Sequence, residues 1–366
     1  VSKPVICFSI INSVARLPDL HKLSDAGAGA GLMSFTPANN SEMIATGYDT
    51  THLPGIEPQP LLSNGGITPA LLTHALLQLF RRAGHKVVMR IYNLDLEHKP
   101  YIPEDKLALD GLEQWSCTQA EIPQLVHNTL LPNLKQEDQD DWISVVAECG
   151  VGGTIYANLW LNLLLDNPVL AAGSTLDPEK LAERQVLIEA LTNRVQNSGL
   201  PITAAALLSD NSTHDNLQTA VTLMLQGLVD HQRKHPLLLA GGLMVIVPWL
   251  MLNREHPEWK APLAGNAIQA TTQWVYRDLH EQHGPDYIPG TDIPLMMPET
   301  GFHHSCHTSL QVYEQGLVVE GCGLGGCLVL AEKLGFYQQQ ILAIMDEFTS
   351  RHIALFEPNH FESDND

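Results

Sequence analysis

The hydrophobic positions of this chain follow two rhythms. In "PVICFSIINSV" (4–14) apolar and β-branched residues crowd together, the pattern of a strand buried on both faces. "HKVVMRIYNL" (85–94) and "PLLLAGG" (236–242) read the same way, the second running straight into glycines. Between them the spacing changes to three and four. "GITPALLTHALLQLFRRAG" (66–84) has a Thr-Pro start, apolar residues on one helical face and a glycine stop. "DPEKLAERQVLIEALTNRVQNSG" (177–199) predicts a helix with Asp177 as N-cap and Gly199 as terminator. A third helix is expected over 214–234. "DDWISVVAECGVGGTIYANLWLNLLL" (140–165) predicts a strand, a glycine turn and a helix. "NAIQATTQWV" (266–275) reads as a strand, 97–139 as polar, proline-punctuated chain, and about 325–352 as helical.

Strands alternating with helices imply a mostly parallel sheet covered on both faces. The expectation is an α/β fold, a three-layer α/β/α arrangement around a Rossmann-like sheet. In such sheets ligands gather at the carboxyl ends of the strands. Three glycine-containing turns follow apolar runs, after Val146, Leu239 and Val319.

Composition narrows the partners. Acidic residues number 41 against 20 Lys and Arg, a net charge of −21. With no basic cluster, nucleic acid and anionic membrane are poor partners. No uncharged apolar run reaches the length of a membrane span, and no signal peptide is recognisable. Six cysteines without a CxxC pair read as reduced thiols, so a cytoplasmic location is expected.

Five segments could carry chemistry. In "AECGVGGT" (147–154) Gly150, Gly152, Gly153 and Thr154 could bring backbone N–H groups to an anion, or merely turn the chain. Glu148, which would repel a phosphate there, fits ligand hydroxyls better. In "AAGSTLDPEKLAER" (171–184) Gly173 and Thr175 lie in a loop, and Arg184 is either a phosphate or carboxylate partner or an ordinary surface arginine. Gly241 and Gly242 are a close-approach surface or a turn. "VVEGCGLGGCLVLA" (318–331) sets Glu320 between an apolar run and glycines, as a helix-start acid, a packing accident or a general base raised in pKa by desolvation. "TGFHHSCHTS" (300–309) groups three imidazoles and a thiol. His303 and His304 are adjacent and diverge, so a polar substrate-facing loop is expected, with neither metal nor cofactor.

Taken in order, these segments resemble the nicotinate-nucleotide:dimethylbenzimidazole phosphoribosyltransferases of cobalamin assembly, over about 140–335. The likeness extends to the shorter archaeal and cyanobacterial branch through "LLLAGG", "ATTQWV", "LQVYEQGLVVEGCGLGG" and "GITPALLTHA". The resemblance implies one α/β unit over 1–366. Its sheet would span roughly 85–335, with a smaller helical part from roughly 1–80 and 335–366, and it would work as a homodimer. It implies transfer of phosphoribosyl from nicotinate mononucleotide to a benzimidazole-like aromatic base. Glu320 would be the base and Glu148 would face the ribose. Residues 150–154 and Arg184 would hold phosphate, Gly241 and Gly242 would line the nucleotide pocket, and Ser305 would fall in a substrate loop. Two departures stand out: Arg184 replaces the family's lysine, and Ala240 replaces an acid. A non-catalytic nucleotide-binding relative, or another transferase on the same fold, is the alternative.

Overall fold

The computed structural model describes residues 3–26, 31–48, 62, 64–165, 170, 173, 175–283 and 293–356. Its sheet comprises β1 (Val5–Val14), β2 (Val87–Leu94), β3 (Gly111–Cys117), β4 (Trp142–Val151), β5 (Leu237–Ala240), β6 (Ala267–Ala270) and β7 (Leu295–Met296). Their order is β3-β2-β1-β4-β5-β6-β7, and every pairing is parallel. The order reverses between β1 and β4, where the two strands pair along ten residues with Ile11 opposite Glu148 and Asn12 opposite Cys149. In this architecture such a reversal marks a crevice at the carboxyl edge of the sheet, the usual place for a ligand.

One helical layer comes from both chain ends: α1 (Thr36–Thr46), α2 (Pro69–Arg82), and two helices from the last fifty residues. The opposite layer is built from the middle of the chain. It holds α3 (Gly153–Leu164), α4 (Pro178–Ser198) packed on α3, then α5 (Asn216–Val229) and α6 (Leu243–Glu255). After β6 comes α7 (Gln273–His283). The C-terminal pair is α8 (Leu324–Lys333), which packs on β5 and α2, and α9 (Gln338–Phe356), which packs on α2. Ile6, Phe8, Ile10 and Ile11 of β1, buried at the centre of the sheet, explain its unbroken apolar run.

Helix starts follow local chemistry. Thr68 accepts from Ala70 N–H, Asp177 from Glu179 N–H and Asp215 from Gln218 N–H, each satisfying an N–H that the first turn leaves unpaired. Gly199 closes α4 at φ 70°. Three expectations change. The stretch 266–275 is not one strand: β6 ends at Ala270, and Thr272 caps α7 by accepting from Val275 N–H. Residues 97–139 hold an edge strand, β3. Strand β1 lies at the centre of the sheet, so the sheet is not confined to about 85–335 and the first 80 residues are not wholly in the helical part. Among the described residues no helix is long and apolar enough to cross a membrane.

Candidate functional site

Two acids meet at the crevice. Glu148 stands near the end of β4, and Glu320 lies in the segment leading into α8. The backbone ties these segments, because Cys322 N–H donates to the Glu148 carbonyl at 3.1 Å. Between the acids passes the Gly241–Gly242 turn that ends β5. A side chain at Gly241 would begin 2.8 Å from Glu148 Cγ, and one at Gly242 would begin 3.9 Å from Glu320 Cβ and Cγ. Glycine at 241 is therefore required by the close approach of Glu148.

Helix α8 reaches this place only because it starts with glycines. A Cβ at Gly325 would meet Glu320 Oε2, the Thr271 carbonyl carbon and the Thr272 nitrogen at 2.5–2.6 Å. The resulting contact brings N–H groups to the Glu320 carboxylate. Oε1 accepts from Gly321 and Gly325 N–H, each at 3.1 Å. Oε2 accepts from Thr272 N–H at 2.9 Å and from the Thr271 hydroxyl at 3.4 Å.

Burial sets the acidity of both carboxyls. Desolvation pushes Glu320 up to about 7 against the pull of its N–H donors. Glu148 is pushed up to about 8 by burial and then by the Glu320 charge, with Gly150 and Gly242 N–H opposing. The richer set of donors around Glu320 favours its ionised form over that of Glu148. Exposure separates them further: Glu148 is buried at 3%, whereas Glu320 is half-buried. Glu320 is thus the more readily ionised of the two acids, and Glu148 is a predominantly neutral carboxyl near pH 7.

The 150–154 turn is more crowded than expected. The space beside Gly150 is filled by Leu217 and Met244, and that beside Gly153 by Met244. Asp215 Oδ1 comes within 3.9 Å of where a Gly153 side chain would begin, and burial raises the pKa of this acid. Gly152 takes φ 79° ahead of α3. Thr154 and Gly173 are neighbours, with Thr154 Cγ2 3.0 Å from the position of a Gly173 Cβ. Thr175 donates its hydroxyl to Asp25, which also pairs with Lys180.

Arg184 is neither on the surface nor in the crevice mouth. It is wholly buried within α4, and burial depresses its pKa to about 10, with the Asp278 charge opposing. Ser305 donates to Asp346 of α9, which anchors its loop to that helix. The structure therefore unites Glu148, Gly241, Gly242 and Glu320, and sets the 150–154 turn on the same strand end. It joins Thr154 to Gly173.

No family model matches the chain. The sequence is similar to the UPF0284 proteins over nine-tenths of its length. It is 25% identical over 358 residues to a UPF0284 protein of Acaryochloris marina, covering 92% of this chain and 89% of the relative. It is also 25% identical over 335 residues to that of Sulfurisphaera tokodaii, covering 90% and 88%. Among solved structures, CobT from Thermus thermophilus superposes with a TM-score of 0.48 at 14% identity, over 95% of this chain and 84% of that one. Likeness at that level is too slight to carry a reaction over.

Sequence reasoning missed several residues of the crevice. Thr271 and Thr272 hold Glu320, yet they lie in a stretch that reads as a strand throughout; the Thr-Thr pair before an amphipathic run was the available helix-start signal. Asp215 had a similar signal as the acid before a helix. Asn12 donates to Ser41 at 2.8 Å and to Asn93 at 3.0 Å, a polar link across the ends of β1 and β2. An isolated asparagine in an apolar run carries no sign of such a partnership.

Proposed function

We propose that this chain is a phosphoribosyltransferase-like enzyme that moves phosphoribosyl from nicotinate mononucleotide to a benzimidazole-like base, with Glu320 as general base. The observation that carries the reading is a carboxyl raised to about 7 by burial, beside a second buried acid at the carboxyl edge of a parallel sheet. A base near its operating pH both holds enough ionised form and accepts a proton well. Nicotinate bonded to ribose is a pyridinium, so it leaves as a neutral ring nitrogen without acid help. The acceptor nitrogen forms the new bond to the anomeric carbon as the pyridinium nitrogen departs with its electron pair. The N–H proton of the acceptor goes to Glu320.

Glu148, kept near neutrality, would donate its hydroxyl proton in a hydrogen bond to the ribose side of the nucleotide. Phosphate is assigned by sequence resemblance to residues 150–154. Burial holds Asp215 towards its uncharged form there, which spares an arriving phosphate part of the repulsion. Arg184 would act on that region from within α4, through helix placement, since its side chain is buried. Gly241 and Gly242 would let the nucleotide lie close to the backbone. Thr175 and Ser305 keep their assignment to the substrate loops by resemblance alone, and the dimer likewise.

A second reading, a nucleotide-binding relative without turnover, draws on the filled space beside Gly150 and Gly153 and on the inward Arg184. Chromatography of nicotinate released from nicotinate mononucleotide, with benzimidazole, adenine or phenol acceptors, separates the two. Acceptor-dependent release is expected. Calorimetric binding without release supports the second reading, and neither binding nor release overturns both.

A further inference from the structure

The histidine- and cysteine-bearing loop at 301–307 is left without a task by the crevice. His303 and His304 are exposed, but Cys306 and His307 come together with Asp346 of α9. Cys306, His307 and Asp346 bring one sulfur, one imidazole nitrogen and one carboxylate oxygen within 4.8 Å of one another. Loop and helix supply them from positions forty residues apart. We propose that Cys306, His307 and Asp346 form a binding site for a divalent transition-metal ion of the zinc class, which clamps the 301–307 loop onto α9.

The donor set carries the choice of metal. Thiolate, imidazole and carboxylate together suit a borderline-soft ion and are a poor set for calcium or magnesium, which take oxygen alone. Metal–sulfur bonds of about 2.3 Å and metal–nitrogen or –oxygen bonds of about 2.0 Å need donors closer than 4.8 Å. An exposed Cys306 and a half-buried His307 and Asp346 can close that gap by side-chain rotation. Exposure also leaves the fourth tetrahedral position to water.

Neighbours already orient the donors. The Asp346 carboxylate accepts from the Ser305 hydroxyl and, at 3.2 Å, from Cys306 N–H. His307 Nε2 lies 2.8 Å from Ser350 Oγ and 3.2 Å from the Asp346 carbonyl. Such surrounding hydrogen bonds set ring and carboxylate orientation at metal sites. The rest of the loop is fastened separately, by Glu314 to Phe302 N–H and by Glu332 to Thr300. A metal would thus join a framework already built. Its binding releases the Cys306 proton to solvent, so affinity rises with pH.

Cobalt(II) is the probe, because a thiolate ligand gives it a sulfur-to-metal charge-transfer absorption that histidine and carboxylate do not. The full-length chain, stripped with chelator and titrated with cobalt, is expected to show this band at one equivalent and to lose it on adding zinc. Cys306→Ser should abolish the band, and His307→Gln or Asp346→Asn should weaken cobalt binding by about tenfold or more. Absence of the band at stoichiometric cobalt, its persistence in Cys306→Ser, or unchanged affinity in both other variants overturns the site. A measurement on the unmutated chain is independent of any folding defect. Zinc should protect Cys306 from iodoacetamide in peptide mass spectra, and equal alkylation with and without zinc contradicts the proposal.

Discussion

At the scale of single residues, Glu148 and Glu320 are costly to bury, and the cost depends on pH. Their unfolded pKa lies near 4.5, whereas in the folded chain they are raised to about 8 and about 7. The folded state therefore binds protons more tightly, so their contribution is fully present below about 4.5 and is lost as pH rises through 7 to 8. Glu148→Gln, which keeps the shape and removes the charge, should gain stability relative to the unmutated chain over that window, by up to about 1.4 kcal/mol per pH unit. Urea denaturation at pH 5 and pH 8 checks this. A stability difference independent of pH would mean that Glu148 is not held neutral. Glu320 itself was legible, because an acid between an apolar run and glycines is conspicuous. Its donors were not. Three of the four are backbone N–H groups, which every residue but proline carries, and two of the four come from Thr271 and Thr272, about fifty positions away.

Elements meet through backbone contacts as much as through side chains. Helix α8 docks on the sheet at Gly326, where a Cβ would fall 2.4 Å from Ala240 Cβ. Gly326→Ala should cost about 1–3 kcal/mol of stability through overpacking, read as a lowered urea midpoint. No loss would show that the helix can move away freely. On the other half of the sheet, Arg90 of β2 pairs with Glu137, both buried, and with Glu113 at 2.8 Å. Glu137→Gln should destabilise by about 1–3 kcal/mol, because it removes the buried one of the two carboxylates that Arg90 pairs with and leaves only the half-exposed Glu113, and the same titration reads it. Helices with a Thr or Asp cap and a glycine stop were readable, since their signals are local. Strand β3 was not, because an edge strand with polar residues on both sides looks like loop. The end of β6 was missed because β-branched Thr271 and Thr272, and then Trp274 and Val275, prolong a strand-like composition into α7.

For the whole molecule, the α/β class followed from the alternation of periods, and the crevice from the rule that ligands sit at strand ends. The strand order could not be read, because it depends on which strands lie side by side rather than on any one of them. The central position of β1 is the clearest case. A homodimer is expected from the resemblance alone. Sedimentation should give twice the mass of 40.2 kDa, and a monomer at micromolar concentration would remove that part of the account.

The most direct measurement is the pH dependence of kcat/KM for nicotinate release, in the unmutated chain and in Glu320→Gln. Activity should rise with pH through a limb near 7. In Glu320→Gln release should fall by about 10²–10⁴-fold while nicotinate mononucleotide still binds. Unchanged release and an unchanged limb in that variant would contradict the central claim.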